Sequence, residues 1–167
     1  MEATDVLDVL AVLAEDDLPV VIEGGWGIDA LLGAQHRTHD DLDLVIAADK
    51  LDTALETLSG VGFEVAIDLR PRRVMVADRS GRRVDLYVVR IDENGELWQD
   101  GGAPDGTDIH YAEAQFITGW VGGQAVRCID AQMQVARHAG YEPVVKDRHD
   151  LELLQKQFGV SLPVGYW

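Results

Sequence analysis

The chain has 167 residues, 47% of them hydrophobic, with 30 acidic against 14 basic side chains and a formal charge of −16. That length suits one domain able to bury roughly 70% of its extended-chain surface, and the hydrophobic share excludes intrinsic disorder. The acidic excess repels polyanions, so no nucleic-acid partner and no binding to anionic membranes is expected, whereas a cationic substrate is favoured.

A lone cysteine, Cys128, excludes an internal disulfide and a thiolate zinc site. The opening Met1-Glu2-Ala3-Thr4-Asp5 is acidic where a secretory leader would be basic. No apolar run approaches the ~20 residues that span a bilayer. The expectation is a cytoplasmic protein.

In chain order, Thr4 to Ala14 carries a broad apolar stripe and predicts a helix with Thr4 as N-cap. Val20 to Ile22 reads as a short buried strand, broken by Gly24-Gly25. Trp26 to Leu32 predicts a short helix closed by Gly33. Leu42 to Ile46 predicts a strand with Asp41 and Asp43 on one face and Leu42 and Leu44 on the other. Lys50 to Leu58 predicts a helix closed by Gly60. Strands follow at Phe63 to Leu69, Arg73 to Ala77 and Val84 to Val89, with a turn over Asp78 to Gly81. The Gly-, Asp- and Pro-rich stretch from Asp92 to Gly106 predicts a surface excursion anchored by Leu97 and Trp98. Phe116 to Trp120 and Gln124 to Cys128 read as a hairpin around Gly122-Gly123. Helices are predicted at Asp130 to His138, capped by Asp130, and at Lys146 to Phe158, before an irregular tail with Pro163 and Gly165. Hairpin-like spacings exclude an all-parallel sheet. The fold class is α+β, a mixed and mostly antiparallel sheet flanked by helices. A core of about residues 4–128 and a helical part of about 130–160 together make one domain, 1–167.

Residues i and i+2 of a strand share a face, so Asp41 and Asp43 would repel one another about 6.6 Å apart. Divalent cations answer that repulsion, since Mg²⁺ takes carboxylate together with phosphate oxygens; a solvated edge strand is the alternative. Asp85 lies inside the apolar run Val84 to Val89, where an acid is costly unless paired or metal-bound. If the two strands are neighbours, three carboxylates converge as two-metal phosphoryl transfer requires. Otherwise Asp85 pairs with an arginine such as Arg82 or Arg83. Gly24 and Gly25, between a strand and a helix, would let a phosphate approach the backbone, although the full phosphate-loop spacing is lacking. Arg37 and His39 precede the acid strand and could meet phosphate oxygens or lie in a solvated loop. The cluster Arg70, Arg72, Arg73, Arg79, Arg82 and Arg83 either lines a cleft or pairs with surface acids, the latter being the commoner case.

Taken together, the pattern Gly24-Gly25-Trp26-x-x-Asp29 followed by Arg37-x-His39-x-Asp41-x-Asp43 resembles the small antibiotic nucleotidyltransferases of the DNA polymerase beta-like superfamily. The short lincosamide enzymes are the nearest by pattern, and the aminoglycoside 2''-nucleotidyltransferases share the front half. The resemblance runs from about Val20 to about Leu154. It implies that fold with C-terminal helices, and a chemistry in which Asp41, Asp43 and Asp85 ligate two Mg²⁺ ions on a nucleoside triphosphate, usually ATP. Asp85 would also serve as general base. Gly24 and Gly25 would cradle the triphosphate, with Arg37 and His39 beside it and Lys146 in reach of a phosphate. Trp26 is expected to pack, and Asp29 to cap or form an ion pair. The implied partners are the triphosphate and a small-molecule acceptor. A homodimer is a further expectation. Chain length favours a lincosamide acceptor and the acidic surface favours a polycationic aminoglycoside. A non-catalytic nucleotide-binding module and a non-antibiotic acceptor are the alternatives.

Overall fold

In the computed structural model, which describes residues 1–162, the elements alternate between helix and strand and then run into a hairpin and two closing helices. The helices are α1 (Ala3–Glu15), α2 (Gly24–Leu32), α3 (Leu51–Gly60), α4 (Ala131–Arg137) and α5 (Val145–Phe158). The strands are β1 (Val21–Glu23), β2 (Leu42–Ala47), β3 (Glu64–Leu69), β4 (Arg73–Ala77), β5 (Arg83–Ile91), β6 (Leu97–Gln99), β7 (Ile109–Tyr111), β8 (Phe116–Val121) and β9 (Gln124–Ile129). The predicted irregular tail with Pro163 and Gly165 lies outside the described residues. Among the described residues no helix is long and apolar enough to cross a membrane.

The sheet runs β3-β4-β5-β2-β1-β9-β8, with β6 added to β5 and β7 to β6. Among the described residues only β2–β5 and β1–β9 pair in parallel; every other pairing is antiparallel. The expected mixed, mostly antiparallel α+β sheet is therefore observed.

Alternation along the strands splits the core in two. Leu42, Leu44 and Ile46 face one side, where with Val84, Leu86 and Val88 they pack under α1 and α3. Val21, Val45, Val89 and Ile129 face the other side, where Met133 of α4 and Tyr111 of β7 cover them. Ile28 of α2, Val135 of α4 and Leu151 and Leu154 of α5 form a third cluster that docks the closing helices.

Four local expectations need correction. Thr4 does not cap α1, which begins at Ala3 with Glu2 as its N-cap. The predicted stop at Gly60 is not one: α3 runs through that residue and the reversal is made by Gly62 at φ +96, the residue able to take it without a Cβ penalty. The Asp92-to-Gly106 excursion contains a strand, β6, and β7 follows it, because three-residue strands are too short to show a period. Gly24 and Gly25 do not merely break the chain; they open α2, which starts two residues earlier than the apolar pattern suggested. Asp130 caps α4 as expected, its side chain accepting from the Met133 amide at 2.7 Å.

Candidate active site

The parallel β2–β5 register sets Asp43 directly beside Asp85, and the antiparallel β1–β2 register sets Glu23 on its other side. Paired residues share a sheet face, so three acids from neighbouring strands form a row across the sheet. Glu23 was not singled out by its sequence context. Its only signal was its place, an acid at the end of an apolar strand and just before Gly24-Gly25.

The row is capped by an arginine at each end. Arg73 Nε donates to Asp85 Oδ1 at 2.7 Å. The arginine partner of Asp85 thus comes from the adjacent strand rather than from Arg82 or Arg83, which lie elsewhere: Arg82 bonds Asp78, and Arg83 reaches the Asp40 carbonyl. At the other end Arg137 Nη2 donates to Glu23 Oε1 at 3.0 Å and the Tyr111 hydroxyl donates to Glu23 Oε2 at 2.9 Å. Asp43 stands between these pairs. Burial pushes its pKa well above the ordinary carboxylate value, and the charges of Asp41, Glu23 and Asp85 push it further. Burial likewise raises Asp85, against the pull of Arg73.

Asp41 immediately precedes β2 and lines, with Asp43, a cavity of about 430 Å³. The same cavity is bordered by Gly24, Gly25, Arg37, His39 and Lys146, so the predicted site residues apart from Asp85 converge on one space. Asp85 lies just behind it, only 1% exposed. Among the described residues no three His, Cys, Asp or Glu side chains are arranged to enclose an ion by themselves. The arrangement still suits a hard cation. Asp41 and Asp43 present uncompensated carboxylates to the cavity, and Mg²⁺ completes its shell with water and phosphate oxygens.

The two glycines are required sterically. A Cβ on Gly24 would fall under 3.0 Å from the Asp43 carboxylate, and its φ of +62 disfavours any side chain. A Cβ on Gly25 would fall under 3.0 Å from both His39 Nδ1 and Arg37 Nη2. The residues that open α2 thus border the cavity without side chains, and helix geometry leaves their amides without intrahelical partners.

Arg37 and His39 are held more firmly than a loop reading implies. Arg37 grips Asp150 of α5, with Nε 3.0 Å from both carboxylate oxygens and Nη2 2.7 Å from Oδ2. This fork–fork pair ties the motif loop to the closing helix. His39 is buried rather than solvated; its Nε2 bonds Asp29 and its ring lies 4.7 Å from that of Trp26. Asp29 thus bonds the His39 ring through one oxygen, while its other oxygen accepts from the His36 amide and lies 3.2 Å from His36 Nδ1, and Trp26 packs as anticipated at 2% exposure. Lys146 stands exposed at the cavity mouth, near the start of α5, and Asp147 caps that helix through the Val144 amide at 3.0 Å. Of the arginine cluster, Arg70 and Arg82 pair with surface acids and Arg73 alone enters the site.

A second cavity of about 640 Å³ adjoins the first and shares Tyr87, Arg137 and Tyr141 with it. Ile109, Met133 and Pro104 give it apolar walls, and Asp105, Asp108 and Thr107 a polar rim. Tyr87 lines this cavity, whereas Tyr111 is fully buried and Trp98 stacks on His110 at 4.5 Å.

Comparison with known proteins bears on this geometry. The family model for aminoglycoside-2''-adenylyltransferase matches residues 5–154. A 2''-aminoglycoside nucleotidyltransferase of Klebsiella pneumoniae is 40% identical over 135 residues, 76% of this chain and 67% of that protein. A lincosamide resistance protein of Staphylococcus haemolyticus is 24% identical over 134 residues, 80% of this chain and 82% of that protein. The fold matches that of the lincosamide antibiotic adenylyltransferase LnuA, solved with lincomycin bound, at a TM-score of 0.80 and 22% identity over 91% of this chain and 95% of that one. It matches ANT(2'')-Ia in complex with adenylyl-2''-tobramycin at 0.72 and 22% identity over 94% and 89%. The matched span takes in every strand of the acid row and both closing helices down to Leu154, and on that ground the chain belongs to the aminoglycoside-2''-adenylyltransferase family.

Proposed function

We propose that this chain transfers AMP from ATP to a hydroxyl of a small antibiotic and releases pyrophosphate. The observation that carries this reading is the union of two cavities across Tyr87, Arg137 and Tyr141, one holding the acids and the helix N-terminus, the other roomy and mixed in polarity. The first would take the triphosphate and the second the acceptor, so that the acceptor hydroxyl meets the α-phosphorus at their junction.

Asp41 and Asp43 would hold two Mg²⁺ ions together with the phosphate oxygens, and Asp85 would join through the carboxylate oxygen that Arg73 does not bond. When bound, the ions neutralise the triphosphate and polarise its α-phosphoryl group. The α2 amides at Gly24 and Gly25, with Lys146, would meet phosphate oxygens. Arg37, held by Asp150, would act by keeping α5 and Lys146 over the cavity, and His39 by packing against Gly25. Asp85 would accept the proton of the attacking hydroxyl, whose oxygen bonds the α-phosphorus as the bond to pyrophosphate breaks.

The acceptor would be an aminoglycoside. The charge of −16 and the acids Asp105, Asp108 and Glu142 around the paired cavities favour a polycation. A lincosamide is the second reading, favoured by the apolar walls of Ile109 and Met133. A cytoplasmic location fits the need for a nucleoside triphosphate, and residues 1–167 would act as one nucleotidyltransferase domain. The test is pyrophosphate release from MgATP with kanamycin, tobramycin, lincomycin and clindamycin supplied separately. Release that needs an aminoglycoside and disappears in Asp85→Asn is the expected result. Release with a lincosamide alone selects the second reading, and no release with any of the four refutes the antibiotic assignment.

A further inference from the structure

We propose that Glu23 and Arg137 form a buried positioning pair that sets the net charge beside Asp43, and so tunes how strongly Asp43 holds a cation. The proposal rests on the nucleotidyltransferase reading of the acid row and assigns a role to two residues outside the three-carboxylate motif.

Glu23 faces Asp43 across the β1–β2 register and is 3% exposed. Both of its oxygens are committed, one to Tyr111 and one to Arg137. These bonds hold its carboxylate in place at the edge of the cavity, and its charge stays next to Asp43. A buried acid is costly and gains nothing in packing over a neutral side chain of the same shape. Its retention here is explained by the electrostatics of the row. Read across the sheet, the order is Arg137–Glu23, Asp43, Asp85–Arg73. Each flanking acid has its own arginine and Asp43 has none.

Arg137 is the last residue of α4, and its side chain is 14% exposed. Its guanidinium lies 5.4 Å from the centre of the Tyr87 ring and 5.8 Å from that of Tyr111, an arrangement that favours a cation. It also forms part of the wall between the two cavities. The charge at the cation site is thereby set from the C-terminal part of the chain, by a residue 114 positions from its partner.

The argument fixes the sign of each perturbation. Glu23→Gln keeps the shape and leaves Arg137 as an uncompensated positive charge, which weakens cation binding. Arg137→Met leaves Glu23 bare and strengthens it. Removing both charges returns the balance to its starting point. A pair that served packing alone would weaken binding in all three.

The experiment is Mn²⁺ binding to the full-length protein by electron paramagnetic resonance, with and without a non-hydrolysable ATP analogue, and with melting temperatures recorded for every variant. Binding weakened about tenfold in Glu23→Gln, tightened severalfold in Arg137→Met, and within about threefold of wild type in the double variant is the expected pattern. Arg137→Met leaves a buried carboxylate unpaired and can fail to fold; Glu23→Gln and the double variant, which lacks both charges, then decide the matter. Unchanged binding in Glu23→Gln, or no recovery in the double variant, overturns the proposal while the metal reading stands. A wild-type protein that binds no Mn²⁺ under either condition overturns the metal reading and the proposal with it.

Discussion

Asp43→Asn is expected to make the protein more stable and inactive. In the folded chain Asp43 sits among Asp41, Glu23 and Asp85, and two of those three charges are offset by Arg137 and Arg73. One uncompensated neighbour remains. Two unit charges about 6 Å apart at an effective dielectric of about 20 repel by about 3 kcal/mol. Solvent in the open cavity reduces this, so about 1–3 kcal/mol is expected on neutralising the group. The sign follows from linkage. A carboxylate whose pKa is raised on folding binds its proton more tightly in the native state than in the unfolded chain. Its contribution is therefore neutral at low pH and turns unfavourable as pH rises from the unfolded value of about 3.9 through the raised native one. At pH 7 the wild type bears more of this penalty than at pH 4, and the asparagine variant bears none. For a chain of this size the gain corresponds to a rise in melting temperature of roughly 3–10 °C. Scanning fluorimetry in EDTA at pH 7 measures it, and repeating the scan near pH 4 should shrink the difference. Pyrophosphate release should be lost in the same variant, the usual trade of function for stability. An asparagine variant less stable than wild type in EDTA at neutral pH would show that the acid row is not repulsive, and would refute the reasoning.

Gly25→Ala should cost about 1–3 kcal/mol by urea unfolding, because its Cβ meets His39 and Arg37, and should also weaken ATP-analogue binding in calorimetry. Asp150→Ala strips Arg37 of its bidentate partner and should cost about 2–4 kcal/mol, with the apparent KM for ATP rising more than kcat falls as α5 loosens over the cavity. Cys128 is buried, and burial pushes its thiol up to about 11, so native protein at pH 8 should resist iodoacetamide and label fully in guanidinium, as mass spectrometry will read.

Much of the site was legible because it is local. Asp43 lies on β2 and Asp41 immediately before it, and the two glycines open a helix, so period and turn chemistry placed them. Arg37 and His39 were legible as residue types but not as environments. Arg37 is fixed by Asp150 at a separation of 113 residues, and no local pattern reports such a partner. His39 looked like a loop residue by its neighbours, yet Asp29 and Trp26, ten and thirteen positions earlier, bury it. The short strands β6 and β7 were missed because three residues carry no measurable period.

The amino-acid sequence by itself determined the α+β class and most element boundaries, since these depend on periods of two and 3.6 residues, and its carboxylate motif pointed to nucleotidyl transfer through its resemblance to a known family. Only the tertiary structure decided that β2 and β5 lie side by side, that Glu23 joins Asp43 and Asp85 in one row, and that Arg73 and Arg137 cap its ends. Strand order and register are set by how whole faces pack against helices, and a charge is paired or left bare only once those distant faces have met.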